Sequence, residues 1–133
     1  MSNAKSIVEA VAFNALSAGV TTATVYQDAP ENSPTPVVII GDMKSSGLPV
    51  KGADADRQVT IAIVTIVEAE ERAPLLGIQN EIENALDGHN FEQDGWTLAF
   101  EFLDDDAVLS EDGSTYSGVT SFSVIALAPS DHQ

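Results

Sequence analysis

Val25-Tyr26-Gln27-Asp28-Ala29-Pro30 and, after a short polar gap, Pro36-Val37-Val38-Ile39-Ile40-Gly41-Asp42 decide how this chain folds. Pro30, Pro34 and Pro36 each lack a backbone N–H and fix φ, so the connection between the two stretches is not helical. Val37 to Ile40 is a β-branched run closed by Gly41, the pattern of a buried strand. The region therefore reads as two short strands, about 23–27 and 36–43, separated by a proline-rich turn. No catalytic or metal-binding pattern accompanies them. A well-specified β scaffold without visible chemistry points toward a structural or assembly protein.

Upstream, Ile7, Val8, Val11, Ala12, Ala15 and Leu16 recur at helical spacing and predict a helix over 4–17, with Ser2 or Asn3 as its cap and Gly19 as its stop. Downstream, 44–56 reads as a long loop, because Gly47, Pro49 and Gly52 disfavour regular structure. Lys44, Leu48, Val50, Lys51 and Arg57 in or beside it are candidate contacts to a partner or a second subunit.

Arg57 to Val67 is the strongest strand. Val59, Ile61, Ile63, Thr65 and Val67 line one face, and Thr60, Ala62, Val64 and Ile66 the other. Both faces are largely apolar, so the strand is central and covered twice. The second cover is expected from a neighbouring subunit or from further helices. Residues 70–87 predict a second helix, with Pro74 in its first turn, a stripe of Leu75, Ile78, Ile82 and Leu86, and Gly88 after its end. Leu98, Phe100 and Phe102 alternate with polar or small residues as a half-buried strand. Asp104-Asp105-Asp106 interrupts it as a bulge or bend, and Ala107 to Ser110 resumes it. Glu111-Asp112-Gly113-Ser114 signals a hairpin into a return strand from Tyr116 to Leu127. The order is α-β-β-β-α-β-β. It implies an α+β fold, a mainly antiparallel sheet with two helices on one face.

The 133 residues suit one domain over 1–133, ending in a short tail at 129–133. No apolar run approaches the roughly 18 residues of a membrane span, and no signal-peptide core follows the start, so cytoplasmic synthesis is expected. With no cysteine, disulfides, thiolate catalysis and cysteine zinc sites are excluded. The 21 acidic residues face only 5 basic ones, Lys5, Lys44, Lys51, Arg57 and Arg72, for a net charge of −16. Such a chain cannot grip DNA phosphates or an anionic membrane. The acidity serves solubility, repels nucleic acid or attracts a basic partner.

Asp104, Asp105 and Asp106 with Glu111 and Asp112 do not match a calcium loop, and adjacent strand residues point to opposite faces. His89 and His132 have no ligand-spaced partner. No nucleophile elbow, phosphate loop or dinucleotide fingerprint occurs. No cofactor is implied. Trp96 and Phe91 are expected to close one end of the core, with an interface anchor as the alternative.

The order of these motifs resembles the tail-completion, or tail-terminator, proteins of long-tailed bacteriophages, also found in prophages and gene-transfer particles. In that family a short strand ending in an Asp–Pro element precedes a Pro-led aliphatic strand ending in Gly, here Val25–Pro30 and Pro36–Gly41. A long apolar strand (Arg57–Val67), a helix ending Ala85-Leu86-Asp87-Gly88 and a closing hairpin (97–127) follow. Val37 stands where the family often has an aromatic residue, and after the third strand this chain has only Arg72 where the family often carries more Lys and Arg. The resemblance implies a virion protein at the head–tail junction, assembled in the bacterial cytoplasm. It implies a homo-oligomeric ring of six subunits between the tail tube protein and the head connector, with DNA passing through unheld. Asp104, Asp105 and Asp106 are then candidates to face the channel or a basic partner. A head-side connector, an acidic DNA mimic and a small acidic-pocket enzyme are the alternatives.

Overall fold

The computed structural model describes residues 3–28, 34–48 and 56–129. Its elements are α1 (Ala4–Gly19), β1 (Thr24–Tyr26), β2 (Val37–Gly47), β3 (Arg57–Glu68), α2 (Ala73–Leu86), β4 (Asn90–Gln93), β5 (Trp96–Asp105), β6 (Val108–Leu109) and β7 (Thr115–Leu127). The strands form one sheet in the order β1-β2-β3-β7-β5-β4, with β6 beside β7. All pairs are antiparallel except β1 with β2. Both helices lie on one face, so the α+β arrangement and element order expected from the sequence hold.

The core forms where the helical stripes meet the inward face of the sheet. Val8, Ala12 and Leu16 of α1 and Leu75, Ile82 and Leu86 of α2 are fully buried. Opposite them lie Val59, Ile61 and Ile63 of β3, Phe122 and Val124 of β7 and Leu98 of β5, also fully buried. Each such side chain stabilises the fold by about 1.5–3 kcal/mol relative to exposure. Phe122 stands edge-on to both Phe100 and Phe102, at 6.4 and 6.0 Å between ring centroids. Trp96 is 8 % exposed and belongs to this core.

Local chemistry sets the element ends. The Asn3 side chain accepts the Ser6 N–H at 2.9 Å and caps α1. Gly19 does not stop the helix: it is the last helical residue, and Val20 is the C-cap. Gly19 instead lies where a Cβ would come 2.8 Å from the Ala85 methyl of α2. Pro74 sits in the first turn of α2, where no N–H is needed, and Gly88 at φ +74° turns the chain off its end.

Three features differ from the sequence reading. First, β1 and β2, expected only as two short strands separated by a turn, run parallel, with Thr24 paired to Val37, within an otherwise antiparallel sheet. Second, Lys44 to Gly47 belong to β2 and not to a loop. A two-residue bulge at Gly41-Asp42 lets the strand continue, and the pairing of Lys44 with Thr60 through Gly47 with Arg57 overrides the poor strand propensity of Ser45-Ser46-Gly47. The remainder of the expected loop at 49–55 and the tail from 130 onward lie outside the described residues. Third, β4 was not anticipated. Its signal is Asp94-Gly95, at φ +52° and +85°, a two-residue turn joining β4 to β5.

The β5 bulge falls at Leu103, between the pairs Phe102–Phe122 and Asp104–Ser121. Asp106 fastens the kinked segment: its carboxylate accepts the Val119 N–H at 2.9 Å, and its carbonyl accepts the buried Gln79 amide at 2.7 Å. Gly118 makes room for that amide. A Cβ there would collide with the Gln79 side chain and the Asp106 carbonyl. Elsewhere Glu81 of α2 holds the α1–β1 connection. It accepts the Thr21 and Thr22 hydroxyls at 2.8 and 2.9 Å and the Thr21 N–H at 3.3 Å. These bonds, the Thr21 hydroxyl foremost, together outweigh the opposing effect of burial and hold its carboxyl below the ordinary value of 4.5.

Two outcomes follow. Gly118→Ala is expected to destabilise the fold by about 1–3 kcal/mol in urea denaturation, because backbone on β6's approach cannot yield as a flexible side chain would. Glu81→Gln is expected to lower the melting temperature at pH 7. A carboxylate with a lowered folded pKa contributes fully above its unfolded value and loses that contribution as pH falls through the folded value. The difference between wild type and Glu81→Gln should therefore shrink on acidification below about pH 4.5 and vanish with Glu81 protonated.

Candidate functional site

Both helices pack on one face of the sheet, and the described residues of the other face range from buried (Val37, Ser123) through half-buried to exposed. On β3 the inward residues Val59, Ile61, Ile63, Thr65 and Val67 are buried, while Ala62, Val64 and Ile66 on the opposite side are half-buried and Thr60 is exposed. The second cover expected for this strand is therefore not supplied by α1 or α2.

Pairing maps the open face row by row. In its upper half, Val37, Ile66, Ser117 and Val108 form one row, and Ile39, Val64 and Val119 the next, with Tyr26 beside Ile39. This half is aliphatic and carries no charged side chain on β2, β3 or β7 until Glu68 at its rim. Val108 is 52 % exposed. In the lower half, Lys44, Thr60, Ser123 and Glu101 form a row, and Ala62, Ser121 and Asp104 another. Gln58 donates to the Ser123 hydroxyl there at 2.9 Å. The face is thus divided into an apolar and a polar half.

The residues singled out from the sequence do not form one patch. Lys44 is exposed on the open face. Arg57 lies at the same end of the sheet but on the helix side, near Lys5, Ser45 and Trp96, and its guanidinium donates to the Asp56 carbonyl at 2.8 Å. Leu48 is half-buried just past β2, and Val50 and Lys51 lie outside the described residues. Asp104, Asp105 and Asp106 are all exposed. Asp104 shares the open face with Ser121, Asp105 pairs with Thr120 on the helix side, and Asp106 is held by Val119. The three carboxylates diverge.

No three His, Asp or Glu side chains among the described residues converge as metal ligands. The exposed His89 ring bonds the Asn84 carbonyl at 2.9 Å, not a serine or carboxylate. Asp112 accepts the Ser110 and Ser114 hydroxyls and the Ser114 N–H, which hold its carboxyl down to about 2, and this bonding closes the β6–β7 hairpin. No described helix is long and apolar enough to cross a membrane. What the surface offers is contact area: an uncharged apolar half-sheet and incompletely paired strand edges.

Residues 5–126 match the sequence model of the family described as tail completion protein gp17. The chain belongs to that family. Tail completion proteins are structural components of the virion. No individually curated protein matches the chain. Among solved structures, a chain from the virion of a native gene transfer agent particle superposes with a TM-score of 0.76 at 20 % identity, covering 90 % of this chain and 93 % of that one. The gp17 protein of bacteriophage SPP1 superposes at 0.58 and 17 % identity, covering 90 % and 91 %. At these identities the likeness is one of fold.

Proposed function

We propose that this tail completion protein forms a homomeric ring, of six subunits, that ends the tail tube and joins it to the head connector. The observation that carries the reading is the membership of residues 5–126 in the tail completion family, joined to a sheet whose second face neither helix covers. An apolar patch of this kind on a folded domain marks a protein contact. We assign the upper half of the open face, Ile39, Val64, Ile66, Val108 and Val119, to the tail tube protein.

The polar lower half, with Glu101 and Asp104, suits a channel wall. Each subunit carries a net charge of −16, and the ring multiplies it. Carboxylates facing a passing duplex raise its electrostatic energy, and Lys44 is the single cation among the described residues of this half-face, so DNA crosses without sticking. Of the three aspartates, Asp104 is the one on this face; Asp105 and Asp106 are directed elsewhere.

Size-exclusion chromatography with light scattering, and negative-stain imaging of the leading peak, tests the ring. Six-subunit rings are expected. A monomer at every concentration, with no rings in the images, overturns the reading and moves a DNA mimic to the front. Val119→Glu is expected to keep the circular dichroism and ring size of the wild type and to abolish co-sedimentation with tail tubes, since it adds a charge to the apolar half-face.

A further inference from the structure

The sheet ends on both sides in strands only partly covered. On one side β1 pairs with Val37 to Ile39 and leaves the outer edge of β2 from Ile40 to Gly47, bulge included, without a described partner. On the other side β4 pairs with Trp96 to Ala99 of β5. Gly88, His89 and the Asp87 carboxylate then bond Phe100 and Phe102. Beyond Phe102 no described strand lies outside Leu103 to Leu109. Leu103, Val108 and Leu109 along this second edge are 49 %, 52 % and 43 % exposed.

Direction, position and charge make the two edges complementary. β2 is antiparallel to β3, β3 to β7 and β7 to β5, so β2 and β5 point in opposite directions. Copies related by rotation about an axis to which the strands are tilted would bring them together as an antiparallel pair, the more stable kind. The open part of β2 lies beside Arg57 to Ile61, whereas the open edge of β5 and β6 lies beside β7 residues whose β3 partners are Ala62 to Val67. Joining them staggers successive copies by about five residues, roughly 17 Å at the rise of a strand. Tilted strands need such a shear to close a sheet on itself. One edge carries Lys44, exposed on the open face, and exposed Asp42 in its bulge. The other carries Asp104 and Asp105.

We infer that the ring closes by edge-to-edge β pairing, with β2 of one copy adding to the β5–β6 edge of the next and Lys44 seated against the neighbour's Asp104–Asp105 segment. This rests on the ring proposed above. The contact joins two different surfaces of one chain, which is what a closed ring requires and a two-fold dimer does not. It leaves the apolar half-face free for a different protein.

Carbodiimide cross-linking of the assembled wild-type protein tests it, using a mixture of isotope-labelled and unlabelled subunits and mass-spectrometric peptide mapping. The expected product is an inter-subunit amide from Lys44 to Asp104 or Asp105. Lys44→Glu and Asp104→Lys are each expected to raise the concentration for half-assembly by about tenfold or more, and the double variant to restore it. Rings that form but yield no such cross-link, or that tolerate both reversals, overturn edge pairing while the ring stands. A wild-type protein that never forms rings removes the ring and this inference together.

Discussion

The antiparallel ladder between β3 and β7 is the interaction on which the rest of the molecule depends. It runs unbroken from Arg57–Ala126 to Glu68–Thr115. It places Val59, Ile61 and Ile63 beside Val124, Phe122 and Thr120 on one side, and these rows are the floor on which both helices pack. A register slip of one residue would turn that floor to solvent and bury the Ser-rich rows instead, so the aliphatic pattern of β3 fixes the pairing. Everything outside the ladder is adjustable by comparison: β2 carries a bulge, β5 carries a bulge and a kink, and β1, β4 and β6 are short.

That contrast explains what was legible in the sequence. Helical stripes and the β3 run are periodic over many residues, so α1, α2 and β3 were readable almost to their ends. The closing hairpin announced itself through Glu111-Asp112-Gly113-Ser114. What escaped depended on pairing partners that a local pattern does not contain. Ser45-Ser46-Gly47 looks like a loop until β3 is laid beside it. The parallel sense of β1 follows from where Thr24 meets Val37, not from the prolines between them. β4 was legible in principle, because Asp94-Gly95 is a strong turn signal, but its four residues include only one large hydrophobic side chain.

The site was less legible than the fold for a related reason. Lys44 and Asp104 lie 60 positions apart in sequence and, through the sheet, on opposite edges of one face. Clustering by sequence joined Lys44 with Arg57, which the sheet separates onto two faces, and joined three aspartates that diverge. Strand alternation was the rule that warned of the second error and also the rule that, applied with the register in hand, corrects the first.

Charge constrains how such a subunit can associate with itself. Copies bearing −16 repel one another, and at physiological ionic strength that repulsion is felt within about 8 Å of the surface. A contact built from carboxylate-rich surface would have to overcome it at close range, with few basic residues to help. Strand edges avoid the difficulty, because backbone N–H and C=O groups supply the attraction and need no net charge. The described edge of β2 beyond Ile39 contributes one cation, Lys44, and one anion, Asp42, and the opposing edge contributes Asp104, Asp105 and Asp106. Pairing the two lowers the local charge at each seam while the remaining carboxylates stay in water. An extreme acidic balance and pairing between strand edges are therefore compatible: the carboxylates keep charged surfaces apart, and the edges, where Lys44 can oppose an aspartate, are where copies can meet.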